Sequence, residues 1–393
     1  MSRYNLVEVV SHPIRHRSVG GPAMRFLGMV VARMPGRLAA LVYAVVALLL
    51  IQIWVPHLVP ASVIYRHRMN YDAVKNNPGP DIDVVLDYVK RNIARNKVDD
   101  YLIILGDSVA YSGPGGPEQS LAVHFRDLAR SAGSDLVAYN LAMPSMQMGD
   151  IYTMILKLKQ HGLKTDHLLI NILYAGFVER TSPLGSVFWL QHDLALLDPQ
   201  AYARLASGAK RDLTESLDLS TYFRNRVYPR VPLLRYHDFL QFVAFRRLGL
   251  PTGEVSDTRP WTAKPYLPAL MQSPDYVWMF SDSPFVWDDT NPQVYFIRKI
   301  VQATQGSDVT FFLAPTNQEL LAAEVGRAGY RANLTGIDKL FAALPVTYVN
   351  CEAELGSELF ADHFHLTPSG YRVLAEKLWP SLNRRPQTAE GGR

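Results

Sequence analysis

The feature of the sequence that most constrains its fold is a series of short apolar segments separated by stretches long enough to form helices. The predicted strands are Tyr101–Leu105, Leu136–Leu141, His167–Leu173, Val309–Leu313 and Val346–Asn350. Strands that are buried on both faces are apolar along their whole length, and helical crossovers join parallel strands. The alternation therefore predicts an α/β fold in which helices cover both faces of a parallel sheet.

A second constraint is the apolar run from Leu38 to Val55, in which Gln52 is the only polar side chain. Eighteen helical residues span about 27 Å, close to the ~30 Å hydrocarbon core of a bilayer. The run is longer than the apolar core of a signal peptide, and 37 residues precede it. We therefore predict a transmembrane anchor over residues 38–56. A buried core helix and a cleaved signal ending at Ala61 are the alternatives.

The positive charge of the chain is concentrated in residues 1–37, a basic tail with six arginines, one acid (Glu8) and a net charge of +5. The whole chain has a net charge of +4, so the remaining residues sum to −1. A body without a basic surplus argues against a nucleic-acid partner. The tail instead predicts a single-pass protein of the inner (cytoplasmic) membrane, with its N-terminus in the cytoplasm and its body in the periplasm. Basic residues close to the span are equal in number on both sides, which leaves the opposite orientation open.

Composition divides the rest of the chain into further segments. Residues 57–98 are predicted to be a juxtamembrane connector, and residues 99–180 together with 293–383 are predicted to form the α/β domain. Between these two parts, residues 181–292 contain many aromatic residues and prolines but no strand-like run, which predicts a mainly helical insertion. Residues 384–393 form a polar tail.

Two short motifs carry side chains suited to catalysis, and the first is Gly106-Asp107-Ser108, directly after the first predicted strand. In open α/β sheets, functional groups collect at the carboxyl ends of the strands. Glycine permits a sharp turn at this point, and backbone N–H groups at the start of the next helix can stabilise an oxyanion. The alternative is that Asp107 and Ser108 only cap a helix.

The second motif contains Asp362, His363 and His365 and precedes the last predicted helix. A serine hydroxyl needs a base near neutral pH, and that base needs a carboxylate to orient it. Asp362 and His365 can supply both groups from one turn, and a capping aspartate beside surface histidines is the alternative. A metal site at His363 and His365 lacks a third ligand, and the single cysteine, Cys351, excludes a disulfide and a cysteine-built zinc site. No metal or cofactor is expected.

Together, the two motifs resemble the SGNH (GDSL-type) hydrolase superfamily over residues 99–180 and 293–383. The resemblance implies a flavodoxin-like parallel sheet with Ser108 as the nucleophile, His365 as the base and Asp362 as its orienting carboxylate. His363 is the competing histidine, but the three-residue spacing from the aspartate and the Leu-Thr that follows favour His365.

The oxyanion-binding motifs of that superfamily are less well matched. Its second motif offers a glycine N–H where this chain has Ser145, so Ser145 is the first candidate and Gly149 the second. Its third motif ends in an asparagine whose side chain donates, but the register puts Ala175 there and Asn171 inside the strand. Asn171 stays a candidate for substrate binding. Because one lost oxyanion donor costs roughly 10²–10³ in rate, Ala175 argues against a fast esterase.

The order of anchor, early serine, insertion and C-terminal Asp-x-x-His is similar, more narrowly, to the membrane-anchored D-alanyl transfer proteins of teichoic-acid modification. The segment Phe311–Asn317 is similar to an element of that group. This resemblance implies an acyltransferase that acts beside a membrane-bound O-acyltransferase and places an O-acyl group on an envelope glycan or uses a lipid-linked acyl substrate. The alternatives are a carbohydrate or lipid esterase with the same triad, and a non-catalytic partner of the acyltransferase.

Overall fold

In a computed structural model of the chain, the described residues are 36–180, 183–209, 227–250 and 257–383. The chain divides into two units, Met1–Trp54 and Val55–Arg393. The predicted basic tail, apart from its last two residues, and the predicted polar tail at 384–393 lie outside the described residues, as do parts of the predicted insertion.

The secondary structure alternates between strands and helices in the expected way. The strands are β1 (Tyr101–Leu105), β2 (Val137–Asn140), β3 (His167–Ile172), β4 (Asp308–Leu313) and β5 (Thr347–Asn350). The helices of the described residues are α1 (Gly36–Leu58), α2 (Ala61–Ile64), α3 (Tyr71–Val74), α4 (Pro78–Asn96), α5 (Ser108–Tyr111), α6 (Leu121–Ser131), α7 (Met148–Gln160), α8 (Gln191–Leu197), α9 (Pro199–Ala209), α10 (Pro232–Arg235), α11 (His237–Arg247), α12 (Leu267–Met271), α13 (Pro274–Val277), α14 (Pro292–Ala303), α15 (Ala322–Val325), α16 (Ala328–Ala342) and α17 (Pro368–Leu382).

Helix α1 corresponds to the predicted anchor and extends two residues beyond each end of the predicted span. Its 23 residues make it long and apolar enough to cross a membrane. Large apolar side chains along it are exposed, among them Leu41, Ile53 and Trp54. A core helix would bury these side chains against protein, so that alternative does not fit.

The five strands form one parallel sheet in the order β2-β1-β3-β4-β5. No strand end differs from its predicted position by more than one residue. This is the strand order of the flavodoxin-like doubly wound folds, so the predicted fold class is confirmed. The order reverses between β1 and β3, which leaves a crevice beyond the carboxyl ends of these two strands.

The interior strand β1 is buried on both faces, as its apolar sequence predicted. Ile103 and Leu105 belong to one apolar core, while Leu102 and Ile104 belong to the other. Side chains alternate between the two faces of a strand, so each core packs against one face of the sheet. Burial of each of these side chains contributes about 1.5–3 kcal/mol, which holds the strand that leads to Ser108 firmly in place.

Residues 57–98 form part of the folded body, not a separate connector. Helix α4 places an apolar stripe in the larger core, made by Ile82, Val85, Leu86 and Val89. An amphipathic helix needs a partner for its apolar face, and here the α/β domain supplies it. The sequence contained no signal for what this helix packs against.

The described parts of the predicted insertion are helical and share the same core. No strand occurs in residues 183–209, 227–250 or 257–292. Phe239 and Phe280 are buried in the larger core beside residues of the sheet. Phe239 and Phe280 are therefore packing residues that join this segment to the α/β domain.

Candidate active site

Ser108 begins α5, immediately after the turn that ends β1. The Asp107 carboxylate caps this helix by accepting a hydrogen bond from Val109 N at 2.8 Å. Asn171 on β3 fixes Asp107, since its Oδ1 accepts from Asp107 N and its Nδ2 donates to Asp107 Oδ1, both at 2.8 Å. Gly106 has a φ of +147°, and a Cβ there would lie 1.6 Å from Asn171 Oδ1. The turn Gly106–Ser108, which holds the candidate nucleophile and is called the nucleophile turn below, therefore requires glycine at Gly106. Its shape depends on both β1 and β3.

Asp362 and His365 meet Ser108 from the loop that precedes α17. His365 Nε2 lies 2.8 Å from Ser108 Oγ, and His365 Nδ1 lies 2.7 Å from Asp362 Oδ2. The second carboxylate oxygen, Asp362 Oδ1, accepts a hydrogen bond from His365 N at 2.8 Å. The structure thus joins the two sequence motifs into one hydrogen-bonded chain of serine, imidazole and carboxylate.

Asp362 and His365 are both largely buried, and each one stabilises the charged form of the other. Burial alone would raise the pKa of Asp362, but His365 holds that pKa well below its usual range. Burial alone would lower the pKa of His365, but the Asp362 carboxylate raises it above the ordinary value. The pair therefore stabilises an imidazolium, which is the state formed when His365 takes a proton from a serine.

His363, the competing histidine, is enclosed by aromatic rings. The rings of Tyr276, Phe280 and Phe364 lie 5.6, 6.0 and 3.9 Å from its own, centre to centre. Neither ring nitrogen has a hydrogen-bond partner in the part of the chain that the structure describes. Burial lowers the pKa of His363 to about 4, so the ring is neutral. Within the same part of the chain, no group of three potential metal ligands includes this histidine or any other.

The loop that contains Asp362, His363 and His365, called the histidine loop below, is held by two segments that are distant from it in sequence. Asn317, four residues after β4, donates from its N–H to His363 O at 2.9 Å and from Nδ2 to Asp362 O at 3.1 Å. Lys264, from the predicted insertion, is buried and donates to Ala361 O at 2.9 Å. The segment that contains Asn317 was noted in the sequence only as a resemblance, and its contacts show that it positions the loop.

Ser145 lines the same cleft as Ser108. Its φ of +64° lies in the left-handed region that favours glycine, which fits the glycine expected at this position. Among the described residues, the N–H groups of Ser145 and Ser108 have no acceptor. Ser108 N is at the first position of α5, where helix geometry leaves an N–H unpaired. Both N–H groups are therefore free to bind an oxyanion.

The other predicted oxyanion residues are placed differently. Gly149 lies in α7 outside the lining of the cleft, and a Cβ there would come within 2.4 Å of Val187. It is a packing glycine. Asn171 does line the cleft, but both polar atoms of its side chain bind Asp107, so it positions the nucleophile turn. Ala175 also lines the cleft, as the register predicted, and has no side-chain donor.

The cleft at Ser108 has a volume of about 330 Å³. A second cavity of about 470 Å³ adjoins it, and Gly176 and Arg180 line both. Gln293 at the start of α14 also lines the cleft, with its side-chain amide packed against Gly176. Neither Arg180 nor Gln293 belongs to a motif, so the sequence contained no signal for them.

Asp150 is a further residue whose role the sequence did not reveal. Its buried carboxylate accepts four backbone hydrogen bonds, from Gln147 N at 2.9 Å and from Phe188, Trp189 and Leu190 N at 2.8 Å. Burial raises the pKa of Asp150 to about 6, although the four N–H groups oppose this shift. Because Phe188 lines the cleft, Asp150 ties one wall of the cleft to α7.

Arg68, which lies in the predicted connector, binds the segment Tyr111–Gly115 that follows Ser108. Its buried guanidinium donates to the carbonyl oxygens of Tyr111, Ser112 and Gly115 at 2.8, 3.0 and 2.7 Å. It also stacks on the Tyr111 ring at 3.8 Å. The acceptors are backbone atoms more than forty residues away, so no local pattern could have marked this arginine.

No protein-family model matches the chain, and no curated protein matches it in sequence. Among solved structures, the chain is similar to TesA, with 10% identity, 72% of this chain and 98% of that chain covered, and a TM-score of 0.35. A family 3 carbohydrate esterase of Clostridium thermocellum has 13% identity, coverage of 71% and 93%, and a TM-score of 0.32. The acetyl xylan esterase Est2A of the rumen bacterium Butyrivibrio proteoclasticus has 10% identity, coverage of 72% and 63%, and a TM-score of 0.29.

The fold assignment rests on the geometry of the chain itself. A flavodoxin-like parallel sheet carries Ser108 directly after β1 and the loop with Asp362 and His365 directly before the last helix. These are the places that the two motifs predicted for them. The chain therefore has the SGNH-type α/β fold.

Proposed function

We propose that this chain is a serine acyltransferase of the SGNH superfamily that works through an acyl-enzyme on Ser108. The observation that carries the proposal is the unbroken hydrogen-bonded chain from Ser108 Oγ through His365 to Asp362. Each distance lies within the range at which a base can take a proton from a nucleophile.

In the first half of the reaction, Ser108 Oγ attacks the carbonyl carbon of an acyl ester while its proton passes to His365 Nε2. The N–H groups of Ser108 and Ser145 stabilise the negative oxygen of the tetrahedral intermediate. The bond from the carbonyl carbon to the leaving oxygen then breaks, and His365 returns the proton to that oxygen. The product is an ester of Ser108.

In the second half, an acceptor hydroxyl enters the cleft and gives its proton to His365 as its oxygen attacks the acyl-enzyme. Collapse of the second intermediate breaks the bond to Ser108 Oγ and protonates it, which restores the enzyme. We propose that the acceptor is a glycan of the cell envelope. Helix α1 supports this, because an anchored enzyme stays beside the membrane where a membrane-bound O-acyltransferase would supply the acyl group.

The second candidate function is an esterase in which water replaces the acceptor hydroxyl. The triad serves both reactions equally well, but Ala175 favours transfer. With one donor fewer in the oxyanion hole, attack by free water is slow, whereas a bound acceptor gains from proximity, which can offset about 7–11 kcal/mol. A non-catalytic role would leave the buried Asp362–His365 pair without a use.

Labelling of the full chain in detergent by a serine-directed fluorophosphonate tests the nucleophile. Ser108→Ala should abolish labelling, since no other serine of the described residues is hydrogen-bonded to the His365 ring. Ser131→Ala, an exposed serine on α6, is the matched control and should label normally. Undiminished labelling of Ser108→Ala would remove the proposed nucleophile.

The direction of the reaction is tested in cells by measuring ester released from envelope glycan by mild base. A transferase predicts less ester in both the deletion strain and the Ser108→Ala strain than in the wild type. A rise in both strains would replace the transferase by the esterase. A fall in the deletion strain without a change in Ser108→Ala would indicate the non-catalytic role.

A further inference from the structure

We propose that Arg180 forms an anion-binding subsite between the two cavities, so that the acceptor glycan carries carboxylate or phosphate groups. This inference rests on the proposed function, because it names the substrate class of the same cleft. It starts from the position of Arg180, which lines both the Ser108 cleft and the adjoining cavity.

The Arg180 guanidinium has far fewer partners than it has donors. Nη1 donates to Gly185 O at 2.7 Å, and Nε is buried without a hydrogen-bond partner among the described residues. A guanidinium has five N–H donors, and in this part of the chain no carboxylate lies within ion-pair distance of Arg180. The Trp278 ring centre lies 5.7 Å from the guanidinium carbon.

A partly buried guanidinium with so few hydrogen-bond partners lowers the stability of the fold unless a ligand binds it. Burial lowers the pKa of Arg180, and the one charge that opposes the shift is Asp150. The Asp150 carboxylate is itself occupied by its four backbone N–H groups. A partly desolvated cation without a partner destabilises a fold, so an anionic ligand would restore the missing interaction.

The surroundings of Arg180 fit a charged carbohydrate. It is the only basic side chain lining either cavity among the described residues, and the acids in the two linings are Asp107 and Glu179. Asp107 is held by Asn171 and Val109 N, while Glu179 is exposed to solvent. The planar guanidinium matches the two oxygens of a carboxylate or phosphate. Trp278 lies beside it and is 40% exposed, and an exposed aromatic ring can pack against a sugar.

The geometry also explains how such a polymer would reach the serine. The lining of the larger cavity includes the polar residues Ser281, Ser283, Thr290 and Asn291. Gly176 and Arg180 are common to the linings of both cavities, so a chain of sugars that reaches from this cavity to Ser108 would lie beside Arg180. Arg180 would therefore hold the unit next to the one that is acylated.

Direct binding to the full-length Ser108→Ala protein in detergent tests this inference without turnover. Three trimers serve as calorimetric probes: trigalacturonate with carboxylates, a glycerol-phosphate trimer with phosphodiesters, and neutral maltotriose. At least one acidic trimer should bind more tightly than maltotriose, and the one that does identifies the anion. Adding Arg180→Gln should weaken that binding by about tenfold or more, and Arg180→Lys should weaken it less.

Arg372→Gln is the control, because Arg372 is an exposed arginine on α17 whose loss changes net charge by the same amount. It should leave binding unchanged, and thermal unfolding checks that each variant is folded. Equal affinity for acidic and neutral trimers, or unchanged affinity in both Arg180 variants, would overturn the inference. Because no acylation is measured, failure of the proposed function appears separately, as persistent labelling of Ser108→Ala in the fluorophosphonate experiment.

Discussion

The two sides of the Ser108 cleft differ in how completely they are built. On one side, the nucleophile turn and the histidine loop supply Ser108, His365 and Asp362 at hydrogen-bond distances. On the other side, the oxyanion would be bound by backbone N–H groups, and Ala175 stands where a side-chain donor was expected. Under the proposed function, the groups that activate Ser108 are complete, whereas the groups that bind the oxyanion lack a side-chain donor.

This contrast bears on the kind of reaction that the cleft favours. Nucleophile activation is needed whether the acyl group goes to water or to a sugar. Stabilisation of the oxyanion can be weaker when binding of a large acceptor places its hydroxyl next to the acyl group. The four predictions below test the two sides separately and then the wall of the cleft.

The largest effect is expected on the complete side. Asp362→Asn should lower kcat/KM for an activated ester by about 10⁴, because the amide no longer stabilises the imidazolium of His365 or selects its tautomer. The measurement is release of p-nitrophenol from p-nitrophenyl acetate by the full chain in detergent. Asp127→Asn, an exposed aspartate on α6, is the control. Activity close to that of the wild type would separate Asp362 from the chemistry.

The pH profile of the same assay adds a second readout for Asp362 and His365. His365 must be neutral to act as a base, and its pKa is raised by Asp362. The wild-type rate should therefore fall as the pH drops through a value above the ordinary histidine pKa of about 6.5. In Asp362→Asn, the fall of the residual rate should move to lower pH. A profile that does not move would show that Asp362 does not set the protonation of the base.

A smaller effect, in the opposite direction, is expected on the incomplete side. Ala175→Asn places an amide donor in the cleft and should raise ester hydrolysis by about 10- to 100-fold, since one well-placed donor is worth roughly 10²–10³. Ala175→Leu has similar bulk without a donor and should give no gain. If neither variant gains activity, the missing donor does not limit the rate. That outcome would contradict the inference that the oxyanion side of the cleft is the weaker one.

The smallest effect concerns the wall of the cleft. Asp150→Asn replaces one of two carboxylate oxygens by an NH₂ group, which leaves two of the four backbone N–H groups without an acceptor. The expected loss is about 1–3 kcal/mol in the free energy of unfolding, seen as a lower unfolding temperature of the full chain. Asp127→Asn again serves as the control. An unchanged unfolding temperature would mean that these hydrogen bonds do not hold the segment that carries Phe188.

Much of the fold was predictable because its signals are local. The apolar run of β1 and the spacing of the later strands gave strand ends to within one residue. The two motifs identified Ser108, Asp362 and His365, because each functional group sits at a strand end or a helix start that has its own sequence signature. The register of the third motif likewise predicted that Ala175 would occupy the cleft.

Other assignments failed because backbone packing decided them. Gly149 resembled an oxyanion donor in sequence, but Val187 crosses so close that only glycine fits there. Asn171 was assigned to the substrate, whereas its amide is consumed by Asp107. In both cases the deciding neighbour lies 38 or more residues away along the chain, and single-sequence periodicity carries no information about such pairs.

By itself, the sequence determined the long apolar helix α1, the parallel sheet and the three residues of the hydrogen-bonded chain, since these depend on periodicity and on short motifs. Only the tertiary structure decided that residues 57–98 contribute to the core, that Arg68 binds the segment after Ser108 and that Arg180 lines two cavities. These outcomes depend on buried polar groups finding partners far away in the chain. A buried polar group without a hydrogen-bond partner costs free energy, so packing must bring a partner to it. That partner can lie anywhere in the sequence, which is why short motifs do not reveal it.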